Sequence, residues 1–191
     1  RQQALKSRRG GMNLCVFCGS RKGTRPEFEQ AANKIGRLMA ERGITLVYGG
    51  GNIGLMGVLA DAVLAGSGQV IGVIPDFLMQ REVGHRGVTQ LEIVGSMHER
   101  KRRMADLADA FVALPGGWGT LDELAEILTW KQLGLVSAPV GLLNTNLFFN
   151  PLLAQMQNMV THGFLDLPSL QNLLVETEER KLLERCGLIP V

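Results

Sequence analysis

No apolar run in this sequence approaches the roughly 18 residues that a membrane-spanning helix needs, so a membrane protein is not expected. Aromatic residues are scarce, with two Trp, one Tyr and seven Phe in 191 residues. No basic, aromatic-studded stripe crosses the body of the chain, and the electrostatic footprint of a nucleic-acid binder is missing. Cysteine is limited to three residues, an odd number that argues against a disulfide framework and for a reducing, cytoplasmic setting. Cys15 and Cys18 form a C-x-x-C, but both lie in the apolar run Met12 to Cys18, and positions three apart on a strand face opposite sides. With His85, His98 and His162 scattered, no second pair stands at metal spacing, so the two thiols read as structural and no metal is expected. A strong charge of one sign is also lacking. The formal net charge is +2, yet Arg1, Lys6, Arg8 and Arg9 fall in the first eleven residues, and removing those four cations leaves −2 from Met12 onward. Residues 1–11 read as a basic tail without the apolar core of a signal peptide. Residues 12–191 read as one domain, in keeping with roughly 100 to 200 residues per domain.

Glycine is the residue in excess. There are 24 in the chain, about twice the usual share of about 7%. Five crowd Gly49 to Gly57 and three crowd Gly116 to Gly119, the clustering that tight turns and close approach of backbone to a ligand require. Around these clusters, short β-branched or apolar runs alternate with longer helical patterns. The runs predict strands at 13–17, 44–48, 70–74, 90–94, 110–114 and 139–143. Helices are predicted at 26–42, 54–66, 97–108, 120–134 and 147–162, with a last strand and helix within 173–186. Strands that are apolar almost throughout, each followed by a helix, imply an α/β fold: a doubly wound, Rossmann-like parallel sheet covered by helices on both faces. Ligands in such sheets sit outside the carboxyl ends of the strands, where both glycine clusters fall.

Gly49-Gly50-Gly51-Asn52-Ile53-Gly54 fits G-x-G-x-x-G between a strand and a helix, and is expected to face a phosphate or nucleotide. It follows the second strand rather than the first, which speaks against a dinucleotide cofactor. Pro115-Gly116-Gly117-Trp118-Gly119-Thr120-Leu121-Asp122-Glu123 follows the strand ending at 114 and opens a helix. Its glycines let successive N–H groups converge on an anion, Thr120 adds a hydroxyl, and the helix N-terminus adds partial positive charge. Thr120-x-x-Glu123 also fits a capping box, as does Ser96-Met97-His98-Glu99. Arg100 and Lys101 follow directly, in helical positions where cations oppose the macrodipole and an anionic ligand would offset that placement. No G-x-S-x-G elbow occurs, so a serine hydrolase route finds no support.

Cys18-Gly19-Ser20, Tyr48-Gly49-Gly50-Gly51 with Gly54-Leu55-Met56-Gly57, Met97-His98-Glu99-Arg100-Lys101 and the Pro115–Glu123 run together resemble the LONELY GUY (LOG) family, over about Met12 to Phe164. These are cytokinin riboside 5'-monophosphate phosphoribohydrolases, long mislabelled lysine decarboxylases. The resemblance implies a Rossmann-like nucleotide hydrolase, acting without metal or cofactor as a homodimer or dimer-based assembly. It implies cleavage of the N-glycosidic bond of an N6-modified adenosine monophosphate or AMP, giving free base and ribose 5-phosphate. Carried over by motif, the catalytic pair is Arg100 and Glu123. The implied substrate contacts are Glu82, Arg100, Lys101, Gly117, Trp118, Gly119, Thr120, Leu121, Asp122, Glu123 and Thr129. The loop around Glu82 lacks the G-E-x-V-G-E pattern of the plant members and looks bacterial. Two rivals are a non-catalytic nucleotide or cofactor carrier of the same superfamily, which needs neither Arg100 nor Glu123, and a dinucleotide-dependent oxidoreductase, which lacks its fingerprint context.

Overall fold

The computed structural model describes residues 11–81 and 83–191. The basic tail up to residue 10 and Glu82 lie outside the described residues. Seven strands form one parallel sheet: β1 (Asn13–Phe17), β2 (Thr45–Tyr48), β3 (Val70–Pro75), β4 (Gln90–Val94), β5 (Ala110–Ala113), β6 (Val140–Leu143) and β7 (Leu173–Glu176). Their order across the sheet is β4-β3-β2-β1-β5-β6-β7. The chain therefore starts in the middle, steps outward to β4, returns to pair β5 with β1 in parallel, and steps outward the other way.

The doubly wound expectation holds. Along β1, Leu14 and Val16 join a core on one face, while Cys15 and Phe17 join a second core on the other. The first core is closed by α1 (Pro26–Glu41), α2 (Gly54–Ala65) and α7 (Glu179–Arg185), and the second by α3 (Met97–Leu107), α4 (Trp118–Gln132) and α5 (Asn150–Thr161). Strands with apolar side chains on both faces are fully withdrawn from water, and each buried Leu, Val or Phe contributes about 1.5 to 3 kcal/mol to holding the layers together. Cys15 and Cys18 lie in opposite cores, as the period-two argument requires.

The strand boundaries agree with the sequence reading to within one residue, and the helices depart from it in three places. The pattern at 147–162 begins as a helix only at Asn150, because a single 3-10 turn at Thr145–Leu147, with Asn146 and Leu147 at positive φ, precedes it. Pro151 then sits in the first turn, where its missing N–H costs nothing. A short helix, α6 (Leu167–Gln171), has no sequence expectation behind it; Asp166 caps it by accepting from the Ser169 amide at 2.7 Å. Finally, α4 starts two residues earlier than predicted. No helix among the described residues is long and apolar enough to cross a membrane.

Candidate functional site

The strand order reverses between β1 and β5, and a crevice opens there at the carboxyl ends of the two strands. The chain leaving β1 is stitched into that crevice from two sides. The Gly19 amide donates to the Pro115 carbonyl at 3.1 Å, and the Gly19 carbonyl accepts from the Leu55 amide in the first turn of α2 at 3.0 Å.

On the β5 side stands the N-terminus of α4. Gly117 is its N-cap, with no side-chain capping bond, and the first intrahelical bond runs from the Leu121 amide to the Gly117 carbonyl at 3.1 Å. The expected Thr120-x-x-Glu123 capping box is therefore not formed: Thr120 is the third helical residue and Glu123 lies in the second turn. The helix begins before the threonine, with Gly117, a common N-cap residue, at its cap. The N–H groups of Trp118, Gly119 and Thr120 precede the first intrahelical donor, Leu121, and so lack an intrahelical partner, where an anion would meet them together with the helix dipole. Thr120 is buried against Gly116, where any Cβ would collide with the threonine hydroxyl. At Ser96 the forward half of the box forms, with Ser96 Oγ accepting from the Glu99 amide at 3.1 Å, while Glu99 accepts from the Gly95 amide, one residue before the cap, at 2.6 Å.

One turn into α3, Arg100 turns inward and is only 4% exposed. Its Nε donates to the Val73 carbonyl at 3.0 Å and Nη2 to the Gly49 carbonyl at 2.6 Å. The guanidinium thus rests on the carboxyl ends of β3 and β2. Glu123, half-buried on α4, approaches from the other side. The buried Cys15 thiol close to them registers both: desolvation pushes its pKa well up, the Glu123 charge raises it further, and the Arg100 charge pulls it down. Arg100, Thr120 and Glu123 line a cavity of about 170 Å³, together with Cys18, Met56 and Met97. An outer cavity of about 390 Å³ adjoins it across Gly19, Ser20, Gly117 and Trp118, with Arg21, Lys22 and Phe148 on its walls.

Of the residues singled out from sequence, the structure brings Arg100, Gly117, Trp118, Gly119, Thr120 and Glu123 to this cleft. Lys101, Leu121, Asp122 and Thr129 do not line it, and Glu82 lies outside the described residues. Lys101 turns toward α4, with Nζ 2.8 Å from Glu126 and 3.1 Å from Asp122. Desolvation lowers its pKa, but the hydrogen bonds to Glu126 and Asp122 outweigh that and hold it above the ordinary value. Leu121 and Thr129 line a separate apolar groove of about 520 Å³ between α4, α5 and α6. The Thr129 hydroxyl donates to the Ala125 carbonyl one turn back at 2.7 Å.

The 49–54 glycine loop also differs from expectation. Three of its carbonyls and one amide are engaged within the protein, while Gly49 also lines the inner cavity. The Gly49 carbonyl takes Arg100, the Gly50 carbonyl takes the His85 amide at 2.8 Å, the Gly51 carbonyl takes the Tyr48 hydroxyl at 3.0 Å, and the Asn52 amide donates to Val83 at 2.9 Å. Glycine at 49 is explained by close approach, since a Cβ there would collide with the Arg100 guanidinium. Sequence reasoning missed Ser20, Arg21 and Lys22 as wall residues. Their signal was position: they follow directly on the first strand of a parallel sheet. Among the described residues no group of three or more His, Cys, Asp or Glu side chains is arranged to hold a metal ion.

Residues 56–186 match the family model described as "Possible lysine decarboxylase". The chain is 48% identical over 185 residues to the cytokinin riboside 5'-monophosphate phosphoribohydrolase LOG of Oryza sativa subsp. japonica, covering 92% of this chain and 76% of that protein. It is 46% identical over 172 residues to the enzyme LOG7 of the same name from Arabidopsis thaliana, covering 90% and 79%. Among solved structures, the molybdenum cofactor binding protein from Rippkaea orientalis superposes with a TM-score of 0.69 at 22% identity, over 93% of this chain and 96% of that one. At that identity the likeness is one of fold alone.

Proposed function

The chain belongs to the cytokinin riboside 5'-monophosphate phosphoribohydrolase family, and from that membership and its cleft we infer that it hydrolyses the N-glycosidic bond of cytokinin riboside 5'-monophosphates, AMP being the unmodified counterpart. The products are the free base and ribose 5-phosphate. The observation that carries this reading is the convergence of Arg100 and Glu123 on one small cavity beside the open amides of α4. The 5'-phosphate sits against the Gly117–Thr120 turn, where unpaired N–H groups and the helix dipole meet its charge. Cleavage of the bond between the base and the anomeric carbon passes through an oxocarbenium-like state. The Glu123 carboxylate stabilises that positive charge and orients the attacking water, accepting its proton as the new C–O bond forms. The departing base takes up a proton and leaves with the bonding electrons. Arg100, fixed by two carbonyls, supplies the positive charge that favours electron flow toward the leaving group.

A carrier that merely holds a nucleotide needs the helix terminus but not a buried arginine and a carboxylate lining one cavity, so the cleft favours the hydrolase over the carrier. Incubating the protein with AMP and N6-isopentenyl-AMP and separating the products by chromatography tests the reading. Release of adenine or the modified base with ribose 5-phosphate is expected, and intact nucleotide after long incubation would overturn it.

Residues 12–191 act as one domain in this reading, and the assembly is a homodimer. The groove bounded by α4, α5 and α6 is apolar, α5 has no fully buried residue, and Phe164 beside it is 86% exposed. An apolar face of that kind fits a second copy of the chain. Light scattering that reports a monomer at micromolar concentration would count against it. The three cysteines are buried thiols, which fits a reducing, cytoplasmic setting.

A further inference from the structure

We propose that His85, anchored by Asp61, is a positioning residue that fixes the loop between β3 and β4 as one wall of the cleft and braces the turn on which Arg100 rests. The proposal builds on the hydrolase reading above. The loop runs from Asp76 to Thr89, too long to be held by its ends alone. It begins in a 3-10 turn at Asp76–Leu78, and Leu78 lines the inner cavity together with Arg100 and Glu123.

What holds this loop converges on His85, which is 8% exposed although its neighbours Arg86 and Gly87 are exposed. Four hydrogen bonds meet there, the longest from the Val88 amide to the His85 carbonyl at 3.4 Å. The His85 amide donates to the Gly50 carbonyl at 2.8 Å. Its ring Nδ1 accepts from the Gly87 amide at 3.1 Å, which leaves the ring proton on Nε2, 2.8 Å from Asp61 Oδ1 on α2. Beside it, Gly84 bridges Gly51 in antiparallel fashion, and the Val83 carbonyl accepts from the Asn52 amide. Val83 has φ of 47°, a left-handed conformation that a β-branched residue adopts only under constraint. Constraint of that kind must come from anchors on either side, and the imidazole is the side-chain anchor.

The consequence reaches the catalytic pair by a short path. Asp61 holds His85, the His85 backbone holds Gly50, and the adjacent Gly49 carbonyl holds the Arg100 guanidinium. None of these contacts requires His85 to touch substrate. It acts through the loop and the turn.

Asp61 gives the cleanest test because it is 66% exposed on the outside of α2, so its replacement leaves the core alone. Asp61→Ala removes the acceptor, and Asp61→Asn keeps a carbonyl oxygen at the same place. The full-length variants are assayed with AMP and, separately, exposed to dilute trypsin, with cleavage after Arg81 and Arg86 followed by mass spectrometry. For Asp61→Ala the expected result is a KM raised roughly three- to tenfold, a kcat within about twofold, and loop cleavage faster by a similar factor, as loss of one hydrogen bond implies. Asp61→Asn should restore both readouts. His85→Gln, which keeps a donor for Asp61 but loses the bond to Gly87, should fall between. Wild-type KM and wild-type cleavage in Asp61→Ala would overturn the proposal, as would an Asp61→Asn variant as defective as the alanine. A wild-type protein that cleaves no nucleotide would instead overturn the reading of function, while the trypsin comparison still reports on the anchor.

Discussion

The Gly49 carbonyl accepts from Arg100 Nη2 at 2.6 Å, and the space that the guanidinium needs is the space a Cβ on Gly49 would occupy. One residue thus supplies both the acceptor and the vacancy. Gly49→Ala is expected to displace Arg100 while leaving the sheet intact, since β2 ends at Tyr48. kcat/KM for AMP should drop by about 10² or more, the scale of losing one placed electrostatic group. A variant that keeps its activity would mean that Arg100 does not need its cradle.

Glu123 has no capping duty, because α4 is capped by Gly117 and begins at Trp118. Glu123→Gln preserves shape in a half-buried position and should change stability by less than about 1 kcal/mol. As a neutral amide it neither stabilises an oxocarbenium ion nor takes a proton from water, and kcat should fall by about 10² to 10⁴. Steady-state kinetics beside a thermal melt separates the two effects. Near-normal kcat would remove Glu123 from the mechanism.

Lys101 joins α3 to α4 through Glu126 and Asp122, with its side chain 13% exposed. Lys101→Met should therefore lower Tm, because two carboxylates lose their shared cation, while KM for AMP stays within about threefold; losing a ligand contact worth a charged hydrogen bond would cost about tenfold or more. A tenfold rise in KM at unchanged Tm would return Lys101 to the substrate.

At the sheet edge, Glu92 on β4 accepts two hydrogen bonds from Arg103 on α3, at 2.6 and 2.9 Å. These bonds hold the Glu92 pKa below its ordinary 4.5, against a smaller opposing effect of burial. A carboxylate whose folded pKa is depressed stabilises the fold above its unfolded value and loses that contribution as pH falls through the folded one. The Tm gap between wild type and Glu92→Gln should thus be present at pH 6 and close as pH drops below 4.5. Arg103 is 43% exposed, so the gap corresponds to no more than about 1 kcal/mol. A gap that persists at pH 3 would assign it to packing rather than charge.

Much of the fold was legible because β1, β2, β3, β5 and β6 are buried on both faces and leave an unbroken apolar signature. Arg100 and the glycine turn before α4 were legible because their run of residue types is tied to one place on the strand rim. Local patterns fall short where helix boundaries and distant partners decide the outcome. Thr120-x-x-Glu123 carries the local signature of a cap, but the helix boundary was set two residues earlier by Gly117. Gly49 to Gly54 carry the signature of a phosphate loop, but three of their carbonyls and one amide are engaged by Arg100, His85, Tyr48 and Val83, of which only Tyr48 is near in sequence. Lys101 follows Arg100 directly, but one step along a helix turns a side chain by about 100°, and it pairs with Glu126 and Asp122 on α4.

Cys15 lies close to Arg100 and Glu123, fully buried, with its thiol held in the protonated form by desolvation and by the Glu123 charge. The floor of the site is therefore electrically neutral. Charges above such a floor are screened almost entirely from the opposite side, through the open mouth. The strength of the field between Arg100 and Glu123 is then set by what fills that mouth: solvent weakens it, and a nucleotide that expels solvent strengthens it at the moment its own bond is in place to be broken.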